Sequence, residues 1–194
     1  MVEHLTFNQV VVGSIPTRLT RTVNIHLQRC IDIIETSTAG LSADAAARRP
    51  DQRWSVVDVV EHLQRAYSGT VTGLERCLET GEPRARHFSL GNRFWTFVIV
   101  GLGYFPRGRQ APTHVLPTGQ MDLPEVVARA KHDLARLDEV AMRVRERFGT
   151  VKILDHPILG AFTIDQWLRF HAIHTRHHEK QIQALRRGAV EGVR

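Results

Sequence analysis

Apolar residues recur every three to four positions in four long stretches of this chain, and each stretch predicts an amphipathic helix. The most regular is Leu123, Val127, Ala130, Leu134, Leu137, Ala141, Val144 and Phe148, which predicts a helix from near Asp122 to Gly149. Pro124 and Glu125 suit its first turn. An earlier stripe of Val56, Val59, Leu63, Ala66, Thr70, Leu74 and Cys77 predicts a helix from Ser55 to about Glu79. There Ser55 and Asp58 have the spacing of a capping box. The first helix is expected from about Pro16 to Ser37, with Ser14 as its cap and Leu19, Val23, His26, Cys30 and Ile34 on one face. The last starts at the capping box of Thr163 and Gln166 and stops at Gly188.

Between the second and third helices lies a long connection with Pro83, Pro106, Pro112, Pro117 and a concentration of arginines at positions 84, 86, 93, 107 and 109. Within it, Leu90 to Val100 reads as a short helix, Gly101 to Gly103 as a break and Pro106 to Pro117 as irregular. A loop of this length either covers a site or packs its aromatics on the helices. Val151 to Leu154 reads as a short extended piece and His156-Pro157-Ile158-Leu159-Gly160 as a turn. The pattern therefore predicts an all-α bundle of four helices with a long crossover between helices two and three. At 194 residues the chain fills one core and is too short for two. A single domain over 1–194 is expected, with an irregular insertion at about 81–121.

The last helix carries the run His171-Ala172-Ile173-His174-Thr175-Arg176-His177-His178. His174 and His178, four apart, stand one above the other, so both imidazoles can reach one ion. His171, His174 and His178 fall within roughly a 60° arc at 3.6 residues per turn. Ile164, Trp167, Ile182 and Leu185 share that face, while Arg169, Arg176, Lys180 and Arg187 lie opposite. The histidines thus interrupt the apolar stripe, where an unsatisfied polar nitrogen costs about 1–3 kcal/mol. A divalent cation, hydrogen bonds or a solvent-lined pocket would each meet that need. His177 points to the flank. His26 faces the first helix's apolar side as a pocket residue, a rival ligand or a hydrogen-bonded core residue. His62 stands at the edge of its stripe, near Asp58, Arg65 and Gly69, and periodicity lets it face either a cleft or solvent.

Charge and composition narrow the classes. The formal charge is +6 with histidines neutral, yet no aromatic–basic repeat accompanies it, so nucleic acid is not an expected partner. An anionic small molecule suits the surplus equally. Cys30 and Cys77 lack a CxxC partner and read as reduced core residues. Met1 to Val12 has no signal-peptide pattern. The longest apolar stretch, Phe94 to Phe105, is too short to span a bilayer. The expectation is a cytoplasmic protein with no membrane partner.

Taken in order, Trp54-Ser55, Glu61-His62-Leu63, His156-Pro157-x-Leu159-Gly160, Gln166-Trp167 and His174-x-x-x-His178-x-x-Gln181-Ile182 resemble the DinB-like superfamily. These are metal-binding four-helix bundles related to YfiT proteins, and the likeness is strongest to a branch of unknown function. It spans helices one to four. The resemblance implies a metal site of His62, His174 and His178 for a divalent ion such as zinc, nickel or manganese. It leaves His171 and His177 as neighbours that support ligands or contact substrate. It also implies a homodimer and, in some relatives, a low-molecular-weight thiol cosubstrate. The arginine- and proline-containing connection departs from simpler members.

Three neutral imidazoles on one ion leave a coordination position open, as in catalytic zinc sites. Such an ion makes a bound water or thiol more acidic. The leading expectation is a metal-dependent thiol transferase or hydrolase acting on a small-molecule substrate. The alternative is a noncatalytic metal- or ligand-binding stress-response bundle, and a third reading is nucleic-acid binding. Asp58, one turn before His62, either orients it or is a surface residue. Glu61 and Glu179 point to other faces, so neither is assigned as a general base.

Overall fold

The structure is a computed structural model describing residues 23–50, 53–85 and 112–191, with side chains described to residue 188. Among the described residues the fold is predominantly helical. The helices are α1 (Ile25–Thr38), α2 (Ala43–Ala47), α3 (Val56–Thr80), α4 (Leu123–Phe148) and α5 (Ile164–Glu191). A 3-10 turn at Thr113–Val115 precedes α4, and a hairpin of β1 (Leu154–His156) and β2 (Gly160–Phe162) precedes α5.

The long helices pack mainly in two pairs, α3 on α4 and α1 on α5, with further contacts of α1 to α4 and α3 to α5. Their seams are the predicted stripes. Leu63, Leu74, Leu134 and Leu137 are fully buried, as are Leu27, Cys30 and Ile34 of α1. Burying one such leucine contributes about 1.5–3 kcal/mol, so these rows set the alignment of the helices. Solvent-facing ion pairs such as Arg136–Glu75 link α4 to α3 at the surface.

Local chemistry sets the helix ends. Ser55 and Asp58 form the predicted capping box, each side chain accepting the other's backbone N–H, and Thr163 with Gln166 does the same at α5. Asp122 caps α4, and Gly149 follows its last turn at φ 64°. Three helices differ from the sequence reading. α1 begins at Ile25 rather than in a continuous run from Pro16, because extended Asn24 caps His26 N with its own side chain. The expected Ser14 cap and the helix at 90–100 lie outside the described residues. α2 was not anticipated: its five residues are too few to show a period, although Ser42 caps Ala45. α5 passes through Gly188 to Glu191 instead of stopping there.

The extended segment also shifts, from Val151–Leu154 to the hairpin pairing Leu154 with Phe162, Asp155 with Ala161 and His156 with Gly160. Gly160 has φ 81°, a left-handed conformation that costs an L side chain about 1–2 kcal/mol. The hairpin packs on α3 and α5 and sets His156 beside their inner faces.

Candidate metal centre

The first two turns of α3 are enclosed on all sides: every residue from Val56 to Leu63 is buried. The edge that periodicity left ambiguous is covered by the segment after the 3-10 turn. Glu61 holds that cover in place. One carboxylate oxygen accepts from the backbone N–H and hydroxyl of Thr118, both at 2.7 Å, and the other accepts from Gly119 N at 3.0 Å. Burial alone would raise the Glu61 pKa, but the bonds from Thr118 and Gly119 hold it below the usual carboxylate range.

His62 therefore faces inward. Its Nδ1 donates to the Val115 carbonyl at 3.0 Å. A carbonyl can only accept, so the neutral ring carries its proton on Nδ1 and presents a lone pair at Nε2. His178 is arranged alike, with Nδ1 3.0 Å from Gln181 Oε1. Between them, His174 Nε2 lies 3.2 Å from His62 Nε2 and 3.1 Å from His178 Nε2. One ligand nitrogen from each ring lies within 4.8 Å of both others.

This convergence is unstable as a hydrogen-bond network. His62 and His178 both offer lone pairs, and His174 Nε2 carries at most one proton to share between them. A cation satisfies all three nitrogens together. The two close spacings match the edge of about 3.3 Å that tetrahedral bonds of about 2.0–2.1 Å produce. Protonation does not resolve the crowding either. Burial lowers the pKa of His62, partly offset by its bond to Val115. Burial and then neighbouring His62 push His178 down to about 3. Burial, then His178 and His62, drive His174 well below the normal value. At neutral pH the rings are neutral and available as ligands.

The three rings line a cavity of about 840 Å³, with Trp54, Trp167 and Phe170 among its walls. That volume suits a small molecule. His171 and His177 also line it. His171 is fully buried and its Nε2 lies 3.0 Å from Thr70 Oγ1, whose hydroxyl donates to Ala66 O. The His171 ring thus donates from Nε2, and its Nδ1 makes no hydrogen bond among the described residues. His177 sits edge-on to His178, with centroids 5.2 Å apart.

Two residues weighed for the site are placed elsewhere. Asp58 is buried rather than at the surface, and it does not orient His62. Its carboxylate accepts from Ser55 N and Oγ at 2.8 Å and from Arg49 Nε and Nη2 at 2.8 and 2.7 Å. The Val115 carbonyl holds His62 instead. His26 is half-buried at the start of α1, where burial and Arg169 lower its pKa, and it is not part of the cavity wall.

Sequence reasoning missed Val115, the anchoring role of Glu61, and His156 on the cavity wall. A backbone carbonyl leaves no trace in residue identity. Glu61 and His156 were visible only as parts of short motifs, beside His62 and Pro157.

Fold and site together define a predominantly helical protein with three buried histidines that could hold a metal ion. The chain belongs to the family described as "Protein of unknown function (DUF1569)", which matches residues 28–184. That span includes all three histidines. No curated protein and no solved structure matches the chain. Among the described residues no helix is long and apolar enough to cross a membrane.

Proposed function

We propose that this protein is a DinB-like four-helix bundle of α1, α3, α4 and α5 that binds one divalent metal ion through His62, His174 and His178. In this reading it is a metal-dependent thiol transferase or hydrolase acting on a small molecule. The observation that carries the reading is the meeting of three Nε2 atoms at the wall of a cavity, with two of the rings held from behind by Val115 and Gln181. Such outer hydrogen bonds fix the tautomer and aim of metal-ligating histidines. A three-histidine donor set leaves the ion open to a further ligand, unlike a closed structural site.

When bound, the ion supplies Lewis acidity, making water or a thiol more acidic near neutral pH. The chain's own residues do the rest. Trp54, Trp167 and Phe170 provide apolar wall beside the three histidines, a surface suited to the apolar part of a small molecule. The neutral histidines keep their lone pairs over the physiological range because burial opposes their protonation.

Elemental analysis of protein purified without an affinity tag tests the metal. About one divalent ion per chain is expected, with loss in His62→Ala, His174→Ala and His178→Ala. Full retention in all three variants would remove the basis of the reading. Thiol-dependent consumption of an electrophile, or hydrolysis, that disappears with the metal separates an enzyme from a noncatalytic ligand-binding bundle.

A further inference from the structure

His156 stands apart from the three converging rings and has its own defined polarity. It ends β1, and its Nδ1 accepts from the backbone N–H groups of Ile158 and Leu159, both at 3.2 Å. Backbone amides can only donate, so Nδ1 holds a lone pair and the neutral ring keeps its proton on Nε2. Three aromatic side chains fix the ring. Phe162 stacks on it at 5.6 Å and 29°, Trp167 lies tilted at 5.6 Å, and Phe170 meets it edge-on at 4.6 Å.

The His156 ring lines the same cavity as His62, His174 and His178. Among the described residues its Nε2–H has no hydrogen-bond partner. Burial, followed by the nearby His114, pushes its pKa down to about 4, so it stays a neutral donor at physiological pH. The same wall includes the apolar side chains of Leu154, Leu159 and Phe170, with Asp155 next to His156 in the chain. Arg65, a cation of the same wall, has Nε and Nη2 on the His114 carbonyl oxygen. A neutral donor among aromatic rings can bond an uncharged acceptor without either partner bringing a charge to desolvate.

We infer that the His156 Nε2–H is the hydrogen-bond donor that orients the cavity's ligand, and that this ligand is a small apolar molecule bearing a neutral oxygen acceptor such as a carbonyl. The inference names the substrate class of the site proposed above and rests on that reading only in treating the cavity as the substrate site. His156 is a binding residue in this scheme, and no proton or covalent bond is transferred by it.

Acetophenone and its hydrocarbon isostere α-methylstyrene are suitable probes, differing in the carbonyl oxygen. Their dissociation constants are measured by equilibrium dialysis on the full chain, metal-loaded and metal-free. The test variant is His156→Asn, whose shorter side chain retains an acceptor for the Ile158 and Leu159 amides but withdraws the donor from the cavity. The acetophenone to α-methylstyrene preference is expected to fall about fivefold to tenfold in the variant, the worth of one hydrogen bond, in both metal states. An unchanged preference overturns the inference. A preference that vanishes on metal removal and ignores His156→Asn assigns the carbonyl to the ion and also overturns it. Loss of the preference in His156→Asn from a wild type that binds no metal upholds the inference while the metal reading fails. Should the variant not fold, nitrogen NMR of the histidine-labelled wild type decides. The His156 Nε2–H signal shifts on adding acetophenone and not α-methylstyrene, and a signal indifferent to both overturns the proposal.

Discussion

Glu61, buried one residue before His62, anchors the segment whose carbonyl holds that ring. Thr118 and Gly119 donate three hydrogen bonds to its carboxylate. Removing the carboxylate strands those donors, at about 1–3 kcal/mol for a buried group left unsatisfied. It also frees Val115 to move. Glu61→Ala is therefore expected to lower metal affinity about 10–100-fold, the usual effect of losing a supporting group, although Glu61 is not a proposed ligand. Glu61→Gln keeps part of the acceptor capacity and should fall between the two. Chelator-competition titration measures this, and wild-type affinity in Glu61→Ala would show that the anchored segment does not position His62. Sequence position set Glu61 on a face away from the histidine cluster. It could not show the residue buried, because the burial comes from a segment more than fifty positions later.

On α5 the pairing of His174 with His178 was legible from spacing alone, since a single helix places residues four apart on one face. The opposite, charged face was equally legible: Arg169, Arg176, Lys180 and Arg187 are exposed. Gly188 was misread as a stop because glycine is enriched just past helix ends. In the structure it is an exposed position within the helix, with nothing within 4 Å of an added Cβ among the described residues. Gly188→Ala should then stabilise the protein by about 0.5–1 kcal/mol through helix propensity. Thermal or urea denaturation measures the change. A left-handed terminal glycine would produce the opposite sign, so a destabilised Gly188→Ala protein would restore the sequence-based boundary.

For the whole molecule, the buried histidines impose a direction on acid stability. Burial holds His171 at about 3, and the same cause, followed by His114, holds His156 at about 4. An exposed histidine in the unfolded chain titrates near 6.5. Below that pH the unfolded chain takes up protons that the folded state refuses, so the stabilisation is complete above about 6.5 and is lost as pH falls toward 3–4. At pH 5 each of these two rings removes about 2 kcal/mol. With His174 and His178 depressed by burial in the same direction, metal-free protein should thus melt at least about 10 °C lower at pH 5 than at pH 7.5. Scanning calorimetry with a chelator present tests this, and a flat melting temperature would mean that the two rings are not held neutral by burial.

The four long helical stretches, the inward stripes, two capping boxes and the histidine pair on α5 were determined by residue identity, because each is a local pattern at helical spacing. Periodicity left open which way His62 faces, although the resemblance implied an inward ring; that Asp58 serves Arg49 and Ser55 and that Val115 sets a tautomer were decided only by tertiary structure. Those outcomes depend on which distant backbone covers a given helix edge. Periodicity describes one helix against an unspecified core, whereas a site is made where a second segment supplies the remaining wall.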